Sequence, residues 1–258
     1  MRHEYKYIVP AEKLGTLRQL IRPFVTLDRF AEADGRGEYT VRSIYFDNSR
    51  FDFYFEKIEG IKDRKKLRIR SYDEEDPEKT VFFEIKRKFN IPIKKCRAEF
   101  SFAEACRLLR DGFAGNTEGF APELPEAGKF LYHILSKKLR PVVLVAYERE
   151  AWLDNFDKSL RVTFDKNLRS IAYPAIDELF TEHGMRNSLP GRFIMEVKFN
   201  RNFPVWLKPI QANLDLVKQA ASKYTICIDR HDLTRNLSKS TLFVKSRWFS
   251  NNLIKSHV

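Results

Sequence analysis

Polar and apolar residues alternate over many short runs of this chain, and a period of two marks half-buried β-strands. The alternation predicts strands over Glu4–Val9, Tyr39–Phe46, Lys65–Tyr72, Thr80–Lys88 and Lys94–Phe100. It predicts more over Val142–Trp152, Leu160–Asp165, Arg192–Phe199 and Lys223–Ile228. Helical spacing is rarer. Leu14, Leu17 and Ile21 form one stripe of Ala11–Phe24, and Phe130, Ile134 and Leu135 one stripe of Ala127–Lys138. Leu207, Ile210, Leu214 and Val217 do the same in Val205–Lys218. Ser101–Arg110 opens on a capping box, Ser101 to Glu104, and is expected to stop at Gly112. Glycine and proline gather at 31–38, 112–126 and 184–191, which read as loops. No repeat or Gly/Ser linker divides the chain. The pattern is that of a mainly β protein of the α+β kind: one large antiparallel sheet with helices packed outside.

Composition supports a folded chain. The 258 residues are 43% hydrophobic and 14% aromatic, enough for a substantial core and unlike a disordered segment. No window approaches 18 uncharged apolar residues, and Met1-Arg-His-Glu-Tyr-Lys6 has no apolar core of a signal peptide. Cys96, Cys106 and Cys227 are odd in number and far apart, so a cytoplasmic, reducing location is expected. His3, His133, His183, His231 and His257 show no metal spacing. The net charge of +12 asks for an anionic partner.

The charge is patterned. Glu4 and Lys6 share one strand face, as do Arg68, Arg70 and Tyr72, and Glu84, Lys86 and Lys88. Lys95 pairs with Arg97 in this sense, Tyr147 with Arg149, and Glu196 with Lys198. Arg161, Thr163 and Asp165 lie opposite Leu160, Val162 and Phe164. A wet sheet face carries such residues anyway. A face this uniformly basic, however, opposes like charges across strands, which destabilises a sheet unless an anion neutralises them. An open sheet would offer the face to an extended polyanion; a closed barrel would focus it on a central channel. Arginine supplies paired donors to phosphate oxygens and lysine a mobile charge. The few glutamates suit a hard divalent cation bridging phosphates.

The ordered set Glu4-Tyr-Lys6-Tyr, Ser43-Ile-Tyr-Phe-Asp47, Lys57-Ile-Glu-Gly60, Lys66-Leu-Arg68-Ile-Arg70, Phe83-Glu-Ile-Lys86, Met195-Glu196-Val-Lys198 and Ser222-Lys223-Tyr224 resembles the VTC domain. That is the polyphosphate polymerase domain of the triphosphate tunnel metalloenzyme, or CYTH-like, superfamily. The resemblance implies a closed antiparallel eight-stranded tunnel barrel with helices packed outside. It implies a domain over 1–232, continued by a basic, aromatic extension over 233–258. By motif match the catalytic residues would be Lys6, Arg68, Arg70, Lys86 and Lys223. Lys95, Arg149, Arg161, Lys198 and Ser222 would join them in binding phosphate. Glu196 would hold Mn²⁺ or Mg²⁺, with Glu4 and Glu84 as helpers. The superfamily's hydrolases begin Glu-x-Glu-x-Lys; here Arg2 stands in the first position of Arg2-His-Glu4-Tyr-Lys6, closer to the polymerase branch.

The expected activity is metal-dependent transfer of the terminal phosphoryl group of a nucleoside triphosphate to a polyphosphate chain. The alternatives are a tripolyphosphatase or nucleoside triphosphatase, and a non-catalytic polyphosphate-binding module. A terminal phosphate is already ionised near neutral pH, so transfer needs no strong base, whereas hydrolysis does. Nucleic acid is not expected as the main partner, because the phenylalanines lie opposite the basic residues rather than among them. The stretch with Lys239, Phe243, Lys245, Arg247, Trp248, Phe249 and Lys255 reads first as a terminal helix or loose tail. Its second reading is an element for peripheral association with a membrane partner.

Overall fold

Strand by strand, the alternating segments become one antiparallel sheet in the computed structural model, which describes residues 2–32, 35–73, 75–89, 93–114 and 125–237. The strands are β1 (His3–Pro10), β2 (Val25–Leu27), β3 (Tyr39–Asp47), β4 (Asp63–Tyr72) and β5 (Thr80–Phe89). They continue as β6 (Ile93–Ser101), β7 (Arg140–Asp154), β8 (Arg161–Ala172), β9 (Arg186–Asn187) and β10 (Arg192–Phe199). Their spatial order is β1-β10-β8-β7-β3-β4-β5-β6, with β2 beside β7 and β9 beside β8. The path curls strongly: Lys66 on β4 and Lys86 on β5 both feel the charge of Lys6 on β1, near the other end of the path.

The helices are α1 (Leu14–Ile21), α2 (Arg29–Glu32), α3 (Asp52–Ile58), α4 (Phe102–Phe113), α5 (Pro125–Lys137), α6 (Leu207–Asn213) and α7 (Lys223–Arg230). Two apolar clusters lie on the sheet's outer face. Leu67, Ile69, Phe83 and Ile85 pack under Ala105 and Leu109 of α4 and Phe130 and Ile134 of α5. Val9, Val162, Met195 and Val197 pack under Leu17 and Ile21 of α1 and Leu207 and Ile210 of α6. At about 1.5–3 kcal/mol per buried large side chain, these faces supply the main drive to fold. The expected capping box is present: Ser101 accepts from the Glu104 amide, and the Glu104 carboxylate accepts from that of Ser101.

Four expectations change. The eight-strand path is present, but β1 and β6 are its ends and no ladder joins them among the described residues. The edge of β1 that a closing strand would need is occupied instead. Tyr7 bridges Lys218, and the Gln219 amide donates to the Lys6 carbonyl. The helix expected over Val205–Lys218 is only Leu207–Asn213, because Asp215 takes a left-handed φ of 48° that ends it. Helix α4 runs one residue past Gly112, to Phe113. The strand expected over Lys223–Ile228 is the helix α7. Its β-branched, aromatic composition suggested a strand, yet Tyr224, Thr225, Cys227 and Ile228 bury one helical stripe, and burial outweighs propensity. Helix α3 and the short α2, β2 and β9 left no period long enough to read. The segment over 238–258 and the loop residues 115–124 lie outside the described residues.

Candidate active site

Strand register places the basic residues in rows on the inner face. Glu4, Lys198 and Arg161 stand abreast on β1, β10 and β8, and so do Lys6, Glu196 and Thr163. Arg68, Glu84 and Arg97 form a row across β4, β5 and β6, and Lys66, Lys86 and Lys95 another. Arg149 stands beside Asp165 on β7 and β8. A slip of one residue in any strand would turn these charges into the outer core, so the apolar clusters outside fix the charged face inside.

Helix α7 docks on this face. Tyr224, Cys227 and Ile228 pack with Val41, Tyr45, Val143, Val145 and Tyr147. Asp47, fully buried, accepts from the Tyr224 hydroxyl at 2.6 Å and from the amides of Phe53 and Tyr54 in α3. Burial still pushes its carboxyl up to about 6, against those hydrogen bonds. Ser222, the N-cap of α7, accepts from Lys66 Nζ at 2.8 Å. Lys223, the first helical residue, pairs with Asp165 and lies 4.5 Å over the Tyr147 ring.

The inner-face carboxylates Glu84, Asp165 and Glu196 each gather cations. Glu84 accepts from Arg68 at 2.6 Å and from Arg97 at 2.7 Å, with Arg70 at 3.9 Å. Asp165 is gripped by both arms of Arg149, at 2.6 and 2.8 Å. Burial alone would raise both carboxyls. The facing guanidiniums, and Lys223 beside Asp165, win and hold each at about 2. Glu196 is 5% exposed and sits between Lys198 and Lys6, the latter 3.2 Å away and also 2.9 Å from Glu4. Burial opposes ionisation of Glu196, but Lys6 and Lys198 keep it well below the usual carboxylate range. Glu4 also falls, despite partial burial and the charge of Glu196. Arg68 donates at 2.9 Å to the Tyr45 hydroxyl, which is lowered by Arg68 and Arg70 in spite of burial. Arg161 reaches Asp28 at 3.2 Å and the Tyr39 hydroxyl at 3.1 Å, leaving its buried Nε without a partner.

The structure therefore brings Lys6, Arg68, Arg70, Lys86, Arg149, Arg161, Lys198, Ser222 and Lys223 to one face. Lys86 and Lys95 stand at its exposed rim. The proposed metal carboxylates separate. Glu4 and Glu196 flank Lys6, whereas Glu84 belongs to the arginine row, and no group of three His, Cys, Asp or Glu suited to a metal exists among the described residues. Sequence reasoning passed over Lys66, Arg97 and Tyr45 as site residues. The alternation Lys66-Arg68-Arg70 carried the signal for the first. A cavity of about 490 Å³ beside α1 lies outside the inner face. Its Glu150 already binds Arg18 and Lys166.

Residues 1–230 match the family model of the VTC domain. Vacuolar transporter chaperone complex subunit 4 of Schizosaccharomyces pombe is 28% identical over 154 residues, 53% of this chain and 21% of the relative. The protein of the same name in Trypanosoma brucei brucei is 26% identical over 205 residues, 66% of this chain and 26% of the relative. The chain thus spans about a fifth to a quarter of the length of these curated relatives. Among solved structures, the putative adenylyl cyclase HpAC1 from Hippeastrum, described as having a dominant triphosphatase activity, superposes with a TM-score of 0.50. It is 12% identical, and the match covers 88% of this chain and 94% of that one, a likeness of fold.

Proposed function

The chain belongs to the VTC domain family, and on that premise we propose that it is a polyphosphate polymerase, a phosphotransferase extending polyphosphate from a nucleoside triphosphate. One observation carries the reading. Cations from most strands and from α7 converge on one concave face around carboxylates too few to balance them. We read that face as a tunnel, walled where the ends of the sheet meet by side chains and the segment after α6 rather than by a β1–β6 ladder.

In this mechanism the terminal phosphate oxygen of the chain attacks the γ-phosphorus. A new P–O bond forms as the bond to the β-phosphate oxygen breaks, and the nucleoside diphosphate leaves with that electron pair. The residues position the reactants and neutralise charge. Arg68 and Arg70 present planar donors to the transferring group, and Lys6, Lys86 and Lys223 neutralise its oxygens. Lys95, Arg149, Arg161, Lys198 and Ser222 hold the remaining phosphates. Glu196 and Glu4, hard carboxylates on adjacent strands that now share the Lys6 ammonium, are the pair that would hold a divalent cation in its place; Glu84, held by the forks of Arg68 and Arg97, does not join them. Mg²⁺ or Mn²⁺ held there would supply positive charge to offset that of the phosphates.

Transfer to phosphate is favoured over hydrolysis by the carboxylates themselves. Glu84 and Asp165 at about 2, and Glu196 well below its usual value, are weak bases for activating water. We place the chain in a reducing, cytoplasmic setting on the odd number and wide spacing of Cys96, Cys106 and Cys227. No helix among the described residues is long and apolar enough to cross a membrane. We read the basic stretch 233–258 as an element for peripheral association with a membrane partner.

The test is incubation with ATP and either Mg²⁺ or Mn²⁺, with a metal-free control, the products resolved on a gel. A ladder of long polyphosphate with stoichiometric ADP is expected only with metal. Orthophosphate alone would replace the polymerase with the hydrolase reading.

A further inference from the structure

The inner cations differ in what already neutralises them. Lys6 and Lys198 hold Glu196, Arg68 and Arg97 hold Glu84, Arg149 and Lys223 hold Asp165, and Arg161 holds Asp28. Lys66 is paired with no carboxylate: among the described residues its ammonium meets only neutral partners, the Ser222 hydroxyl at 2.8 Å and the Tyr224 ring at 5.3 Å. The strongest charges that bear on it are all cations: Lys6 on β1, Lys86 across from it on β5, Lys57 on α3 and Arg68 on its own strand. Burial, and then these four charges, hold its pKa well below the usual lysine value. Lys86, opposite, is lowered too, by desolvation and then by Lys6 and Arg68, against the opposing pull of Glu4 and Glu196.

An amine so placed is costly as a cation and has no acid to offset it. Its position is nonetheless fixed. The N-cap of α7 holds the nitrogen, and α7 is anchored through Tyr224 to Asp47. The missing component is an anion.

Resting on the polyphosphate reading of the tunnel, we propose that Lys66 is a further phosphate-binding residue. With Lys86, which like Lys66 makes no ion pair among the described residues, it forms a subsite that takes a phosphate of the chain. Arrival of that phosphate supplies the counter-charge Lys66 lacks, so binding draws a proton onto its amine. Elsewhere on the face an incoming phosphate must compete with Glu84, Asp165 or Glu196 for its donors; at Lys66 it competes only with a neutral hydroxyl. The subsite is therefore where the bound anion gains most from each cation it meets.

Isothermal titration of tripolyphosphate, without metal and near neutral pH, tests this in two buffers of different ionisation enthalpy, which counts protons taken up. Wild type, Lys66→Met and Lys66→Arg are compared, each after a thermal scan. Wild type is expected to bind with net proton uptake. Lys66→Met should bind about ten- to a hundredfold more weakly, the loss of one charge-assisted contact, with fewer protons taken up. Lys66→Arg, permanently charged, should regain much of the affinity without regaining the protons. If Lys66 only braces Ser222 and α7, Lys66→Met lowers the melting temperature while affinity and proton count match wild type, and the inference falls. Either variant alone decides through its proton count should the other fail to fold. Absence of any binding to wild type overturns the tunnel reading itself; binding that is indifferent to Lys66 overturns only this inference.

Discussion

Asp165 shows what a single residue contributes to this site. It has no exposed surface and would be expelled as an anion, yet Arg149 and Lys223 converge on it and keep it ionised. Removing one partner of such a buried set leaves charge uncompensated, at a cost of about 3–5 kcal/mol. Asp165→Asn should lose stability on that scale at neutral pH, read from urea unfolding. The pH dependence follows from the direction of the shift. A carboxyl held at about 2 when folded, below its ordinary value, stabilises fully above that ordinary value and loses the contribution as pH falls toward 2. The gap between wild type and Asp165→Asn should be flat above about pH 5 and shrink below about pH 4; a gap that widened in acid would refute the assignment. At this scale much of the site was legible. Alternation alone placed Asp165 beside Arg161, and Glu196 beside Lys198, on one face. Alternation could not say which cations find a carboxylate, because that depends on partners far apart in the chain, 58 residues for Lys223 and Asp165 and further still for Lys6 and Glu196.

Helix α7 was the least legible element. Tyr-Thr-Ile-Cys-Ile has the composition of a strand, and its helical form is decided by what it buries against β3, β7 and β8. The long strands were legible because each faces a core on one side and charge on the other, a contrast that one period of two records. Edge closure was not, since the occupation of the β1 edge by 218–219 depends on where α6 stops. The docking of α7 has its own test. Tyr224→Phe removes the hydroxyl that satisfies buried Asp47 and leaves that carboxyl one donor short. The loss should be about 1–3 kcal/mol. It should also loosen Ser222 and Lys223, so the affinity for tripolyphosphate should fall with stability. Equal stability in the two proteins would mean that Asp47 and α3 hold without the helix.

For the whole molecule, the balance between the two faces of one sheet decides the energetics. Outside, two apolar clusters under α1, α4, α5 and α6 drive folding. Inside, the same strands crowd cations that repel one another only when the chain is folded, a part of the net +12 that folding concentrates. The apo protein is therefore less stable than its core would make it, and a polyvalent anion should recover the difference. A ligand that binds only the folded state adds about 2.7 kcal/mol at a hundred times its dissociation constant. For a chain of this length that raises the melting temperature by roughly 5–10 °C. Sodium chloride at matched ionic strength screens the same repulsion only diffusely, since neighbouring inner charges lie well within the Debye length of about 8 Å, and its effect should be smaller. Thermal scans with tripolyphosphate, orthophosphate and matched chloride separate the cases. A large rise with tripolyphosphate, a small one with orthophosphate and least with chloride is expected if the inner cations act as one extended site. Equal rises in all three would mean that the charges are merely screened, and that no chain-length-selective site exists on the inner face.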